Sequence, residues 1–73
     1  SGLNDNFYKE LIVKYIEEFG SAARKELIQL LIDKLPSSLS KNTKINKIRY
    51  LLDVLKKENR IYFDWNEKNW KIK

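Results

Sequence analysis

The chain has 73 residues, 15 of them basic and 10 acidic, for a net charge of +5, and it contains neither cysteine nor histidine. That length holds one domain around one small core. The missing side chains exclude disulfides, thiolate nucleophiles, Cys/His zinc sites and Ser-His or Cys-His couples.

"DNFYKELIVKYIEEF", residues 5–19, sets Phe7, Tyr8, Leu11, Ile12, Tyr15, Ile16 and Phe19 at helical spacing, which predicts a first helix. Asn4, Asp5 or Asn6 is positioned to cap its start, and Gly20 supplies the left-handed residue past its end. Ser21-Ala22 is too short for a free strand but long enough to pair on a sheet edge. "RKELIQLLIDKL" predicts a second helix from Arg24 to about Leu35, stopped by Pro36. Glu26 stands at the third position of a capping box, yet Ala23 occupies the Ser/Thr place. The apolar residues of this helix spread over more than half its circumference, which suits burial between neighbours. Ile28 and Ile32 are the alternative, an exposed contact strip for another domain.

"LPSSLS" connects to a third helix expected at 41–58, capped by Ser40 and stopped by Asn59. Its inward row is Ile45, Ile48, Leu51, Leu52 and Leu55. The period then changes to two. "RIYFDW" and "NWKIK" read as two short strands joined through "DWNEKN". Ile61, Phe63, Trp70 and Ile72 make the apolar side of that hairpin, expected to close the open end of the helical core. A lone two-stranded hairpin does not persist in water. Trp70 is expected in the core beside Tyr15 and Phe19, and Trp65 folded back over the hairpin. The order of helix, short extended piece, two helices and hairpin predicts an α+β winged helix-turn-helix domain over residues 1–73. Ser1-Gly2, with no initiator Met, reads as a cloning remnant ahead of a fragment of a longer protein.

The charge is uneven. Residues 1–40 carry 5 basic and 6 acidic groups, and residues 61–73 carry a net +1. Residues 41–60 carry 7 basic groups against Asp53 and Glu58. A basic helix of this kind is the footprint of a phosphate backbone or an acidic partner, or a solvated core helix and nothing more.

The stretch "YKELIVKYIEEFGSAARKELIQLLIDKLPSSLS", followed by "KINKIRYLLDVLKKENRIY" and the closing "NWKI", resembles the small winged-helix module at the C-terminus of some bacterial multidomain proteins. These are RecG-like ATP-dependent helicase-related proteins and transcription regulators. Similar modules end some Fic-type proteins. The resemblance covers about residues 8–72. It implies a nucleic-acid-binding or regulatory accessory domain of a bacterial, cytoplasmic protein rather than the enzyme itself. Three positions depart from the pattern: Ala23 in place of Ser, Asn59 in place of Gly, and "FDWNEKNW" in place of a basic Gly/Pro-containing wing.

In a helix-turn-helix the second helix of the motif enters the major groove and presents its N-terminal half to base edges. Here that is the third helix, whose outward face carries Asn42, Thr43, Asn46, Arg49, Tyr50, Asp53 and Lys57. Asn46 suits adenine and Arg49 suits guanine. Lys44, Lys47 and Lys57 suit phosphates, which position without specifying. In the hairpin turn, Lys68 is a second cation, and Trp65 beside it is able to stack on a base. The competing expectation is a protein-interaction domain. There Ile28, Ile32 or Trp65 docks onto the parent protein or a second copy of the chain. No catalysis, metal or cofactor is expected: the pairs Glu17/Glu18 and Asp64/Glu67 lack a partner base, and two glycines cannot build a phosphate loop. No apolar run nears the roughly 20 residues that span a bilayer and no signal-peptide pattern is visible, so no membrane partner is expected.

Overall fold

The computed structural model describes residues 5–73; Ser1, Gly2 and the Asn4 capping candidate lie outside the described residues. Three helices, α1 (Asp5–Phe19), α2 (Arg24–Ile32) and α3 (Lys41–Lys57), precede two strands, β1 (Ile61–Asp64) and β2 (Asn69–Ile72). It is a small α+β fold.

On α1 the stripe that enters the core is Tyr8, Ile12, Val13 and Ile16. Phe7 and Phe19, expected on that stripe, are 58% and 61% exposed. Phe7 stands about 140° around the axis from Ile12, so the helix period alone turns it outward. Phe19 is in phase but sits in the last turn, past the end of the core, where its ring lies 4.6 Å from that of Tyr15. Gly20 ends the helix at φ 83, and its amide donates to the Ile16 carbonyl at 2.7 Å.

The extended piece after Gly20 pairs as expected, through one residue. The Ala22 amide donates to the Trp70 carbonyl at 2.9 Å, and the Trp70 amide donates back at 2.8 Å. Ala22 thus adds a third, single-residue rung beside β2, whose other edge pairs with β1. The hairpin is antiparallel, in the register Ile61↔Ile72, Tyr62↔Lys71, Phe63↔Trp70 and Asp64↔Asn69.

Half a capping box starts α2. The Glu26 carboxylate accepts from the Ala23 amide at 2.7 Å, while Ala23 has no side-chain acceptor to return the bond. The helix stops at Ile32 rather than near Leu35. Pro36 disfavours helical backbone at the residue before it. The last turn tightens, with the Lys34 amide donating to the Leu31 carbonyl at 2.9 Å. The connection to α3 is therefore residues 33–40, longer than the expected six. It is anchored by Leu35, which is buried, and by the Tyr8 hydroxyl, which donates to the Lys34 carbonyl at 3.0 Å.

Ser40 caps α3 as expected, its hydroxyl accepting from the Thr43 amide at 3.1 Å. The far end closes in a Schellman arrangement. Asn59, at φ 64, donates to the Lys56 carbonyl at 2.9 Å, and Arg60 donates to the Leu55 carbonyl at 3.0 Å. Two ion pairs fasten this end to the first half of α1: Lys9 with Glu58 at 2.8 Å and Arg60 with Glu10 at 2.8 Å.

One apolar cluster holds the elements together. It joins the α1 stripe to Ala22, Leu27, Leu31, Leu35, Ile48, Leu51, Leu52, Leu55 and Ile61. Of the expected inward row of α3 only Ile45 stays half-buried. The hairpin covers the cluster with Ile61 and, in part, Trp70. Its outer end is looser than expected: Phe63 and Trp70 are half-buried, and Ile72, one residue from the end of the chain, is 37% exposed. Ile28 packs against the cluster and Ile32 is likewise half-buried, so they do not form an exposed strip. Each follows a fully buried leucine, Leu27 or Leu31, and so stands about 100° around the helix from it, at the border of the buried stripe. Among the described residues no helix is long and apolar enough to cross a membrane.

Candidate nucleic-acid interface

α3 buries Ile48, Leu51, Leu52 and Leu55, which fixes its rotation about its axis. The opposite side is open. Asn42, Asn46, Arg49, Tyr50 and Lys57 are all exposed there, with Tyr50 at 52%. These five candidates share one face.

Two other candidates do not. Lys44 stands about 20° from Leu51 and about 160° from Asn46 around the helix, and it is half-buried. It belongs to the inward side, near the helix start, and does not join the open face. Lys47 turns toward α1, where its ammonium pairs with Asp5 and lies 5.3 Å from the centre of the Tyr50 ring. An ammonium held between a carboxylate and an aromatic face is a poor phosphate ligand.

Acidic residues on this surface are matched. Asp53 is paired with Lys57 at 3.2 Å. Both side chains are largely exposed, so the pair contributes about 0–1 kcal/mol and gives way easily to a phosphate. At the hairpin, Lys71 bonds Asp64 and Glu67, each at 2.9 Å. The one ammonium thus offsets half of the tip's acidic charge from within.

The turn is Trp65–Lys68. Asp64 organises it, its carboxylate accepting from the amides of Asn66 at 2.9 Å and Glu67 at 3.1 Å. The Lys68 amide donates to the Asp64 carbonyl at 2.7 Å, and Lys68 takes the left-handed conformation at φ 60. That geometry points the Lys68 ammonium at the Trp65 ring, 5.5 Å from its centre. Trp65 does fold back, with its ring 4.7 Å from Phe63, yet 74% of it remains exposed. Trp70 also meets Phe63, at 5.2 Å, and Tyr15 and Phe19, its expected neighbours, pair with each other.

Two residues that sequence reasoning missed complete the surface. Arg24, the first residue of α2, and Lys56 of α3 line two adjoining clefts. One is shared with Arg49, Leu52, Asp53 and Trp70, and the other with Phe63, Trp65, Lys68 and Trp70. Arg49 and Lys56 are one 7-residue step apart in sequence, about 20° on the helix, which is the signal that was available. Nothing local marks Arg24; only tertiary packing brings it to α3. Among the described residues Arg24, Arg49, Lys56 and Lys68 form no ion pair.

The hairpin carries a pH dependence. The hydrogen bond from Lys71, together with the Glu67 and Asn66 amides, holds the Asp64 carboxyl below its ordinary range. Its bonds to Asp64 and Glu67 raise Lys71 above the ordinary ammonium value. Asp64's contribution is complete above the ordinary carboxylate value of about 3.9 and is lost as pH falls through its lowered value. Lys71's is complete below about 10.4 and is lost as pH rises through its raised value. Acidification below about pH 4 should therefore loosen the turn. The expected readout is falling hydrogen-exchange protection at the Lys68 amide. In Asp64→Ala that protection should be low already at neutral pH, with no acid limb.

No protein-family model, no curated protein and no solved structure matches the chain.

Proposed function

We propose that this chain is a winged-helix module that binds duplex DNA, with α3 in the major groove and the β1–β2 hairpin alongside as a second contact. The element order supports this reading, with Ala22 serving as the short strand between the first two helices. One observation carries it. Four basic side chains that form no ion pair among the described residues, Arg24, Arg49, Lys56 and Lys68, come from α2, α3 and the hairpin turn and line the clefts that adjoin the open face of α3. Asn46 and Arg49 are the base-edge readers, and the cations beside them hold phosphates. The parent is a bacterial, cytoplasmic helicase-related or transcription-regulatory protein, as the resemblance implies. The module is an accessory rather than a catalyst.

The test is fluorescence anisotropy of a labelled duplex against salt. With about four phosphates neutralised, log K against log[salt] should fall with a slope of about −3.6. The absence of binding at about 50 mM salt, or a slope near zero, would refute the reading.

A further inference from the structure

The cleft on the hairpin side has a chemistry that a duplex does not use. Phe63, Trp65 and Trp70 line it together. Trp65 and Trp70 each meet the Phe63 ring edge-to-face, at 4.7 and 5.2 Å between centres. Arg24, Lys56 and Lys68 complete the lining, and no carboxylate lines it. Its volume is about 320 Å³, at the small end of the range of ligand sites, about 300–1,000 Å³. That size takes one planar ring rather than a stretch of groove.

Burial cannot explain the arrangement. Trp65 is 74% exposed, the most exposed large apolar side chain among the described residues, and it contributes little to the core. A tryptophan held by an edge-to-face contact with Phe63 and by the Lys68 ammonium at 5.5 Å, and still largely open to solvent, is a preorganised stacking surface. Among the described residues none of the cleft's cations is paired with a carboxylate.

We infer that this cleft binds an unpaired base of a single nucleic-acid strand, stacked on Trp65, with the adjoining phosphates held by Arg24, Lys56 and Lys68. A nucleotide offers both complements at once, a flat ring for the indole and an anion for the cations. Stacking of this kind is sequence-tolerant because every base has a π face. An acidic peptide would satisfy the cations and leave the aromatic wall unused. The inference rests on the reading that this surface meets nucleic acid, but not on α3 entering a groove. A module with both sites would sit where duplex gives way to single strand.

The test is intrinsic tryptophan fluorescence titrated with oligothymidylate and oligouridylate of roughly ten nucleotides. Both should quench at low salt, the stronger one identifying the preferred strand. Trp65→Ala should weaken binding by roughly 5- to 150-fold and Trp65→Phe should retain most of it. Circular dichroism should be unchanged, because the side chain lies outside the core. Asn46→Glu, on the open face of α3 and outside the cleft, should impair duplex binding and leave oligothymidylate binding intact. No duplex binding by the unaltered chain, with quenching by oligothymidylate retained, would end the duplex reading and leave this one standing. No quenching, an oligothymidylate affinity unaffected by Trp65→Ala, or equally tight binding of polyglutamate would overturn it.

Discussion

Leu51→Ala should remove about 2–5 kcal/mol of folding stability, whereas Tyr50→Ala, one residue earlier, should cost under about 1 kcal/mol. The contrast follows from the rotation of α3. Leu51 is fully buried in the cluster formed by all three helices and β1. Its truncation loses the transfer free energy of the side chain and leaves a cavity that rigid neighbours fill only in part. Tyr50 is 52% exposed, and its one defined aromatic contact is with the Lys47 ammonium. A domain of this length has a total stability of about 4–11 kcal/mol. The Leu51 change therefore removes a large share of it, and at the low end of the range unfolds the chain. Urea denaturation followed by tryptophan fluorescence measures both variants. A small Leu51 effect with a large Tyr50 effect would mean that α3 is rotated, and with it the open face.

Arg49→Glu combined with Lys56→Glu should lower duplex affinity by roughly 100-fold or more at low salt and flatten the salt dependence. Both side chains are exposed, so folding should be unaffected and the loss belongs to binding. Each change removes a cation from the surface where Arg24 and Lys68 converge and sets a carboxylate against a phosphate. Lys47→Gln is the informative contrast. Composition alone makes Lys47 as good a phosphate ligand as its neighbours, but its ammonium is engaged by Asp5 and Tyr50. Its removal should change duplex affinity by no more than about twofold, because an ammonium already satisfied within the protein adds little to binding. The anisotropy titration measures both variants. An undiminished affinity in the double variant would place the DNA elsewhere on the molecule.

Much of the fold was legible in the sequence because its cues are local. The period of α3 with Ser40 before it and Asn59 after it, and the switch to alternation at Ile61, each act within a few residues. Helix ends and exposure were less legible. The early stop of α2 at Ile32 depends on Pro36 acting back through Leu35 and on the Tyr8 hydroxyl reaching the Lys34 carbonyl from another helix. Phe7 and Phe19 share one stripe when only apolar spacing is counted, but one is out of phase and the other overruns the core.

The same division holds for the candidate site. Asn42, Asn46, Arg49, Tyr50 and Lys57 follow from helix periodicity and share the open face. The state of each charge does not follow from periodicity, because it depends on partners distant in sequence. Asp5 captures Lys47 from α1. Lys71 bonds both Asp64 and Glu67 across the hairpin, which offsets one of their two charges and reduces the repulsion that an acidic tip would otherwise exert on a phosphate. Arg24 reaches the surface only because α2 begins beside α3 and β2.

The most direct test of the interface is a backbone amide map by NMR, with an isotopically labelled chain titrated with a short duplex. The account predicts shift changes confined to Arg24, the outward positions between Asn42 and Lys57, and the turn Trp65–Lys68. Changes centred on the exposed Phe7 and Phe19 of α1, with α3 and the turn unmoved, would contradict it.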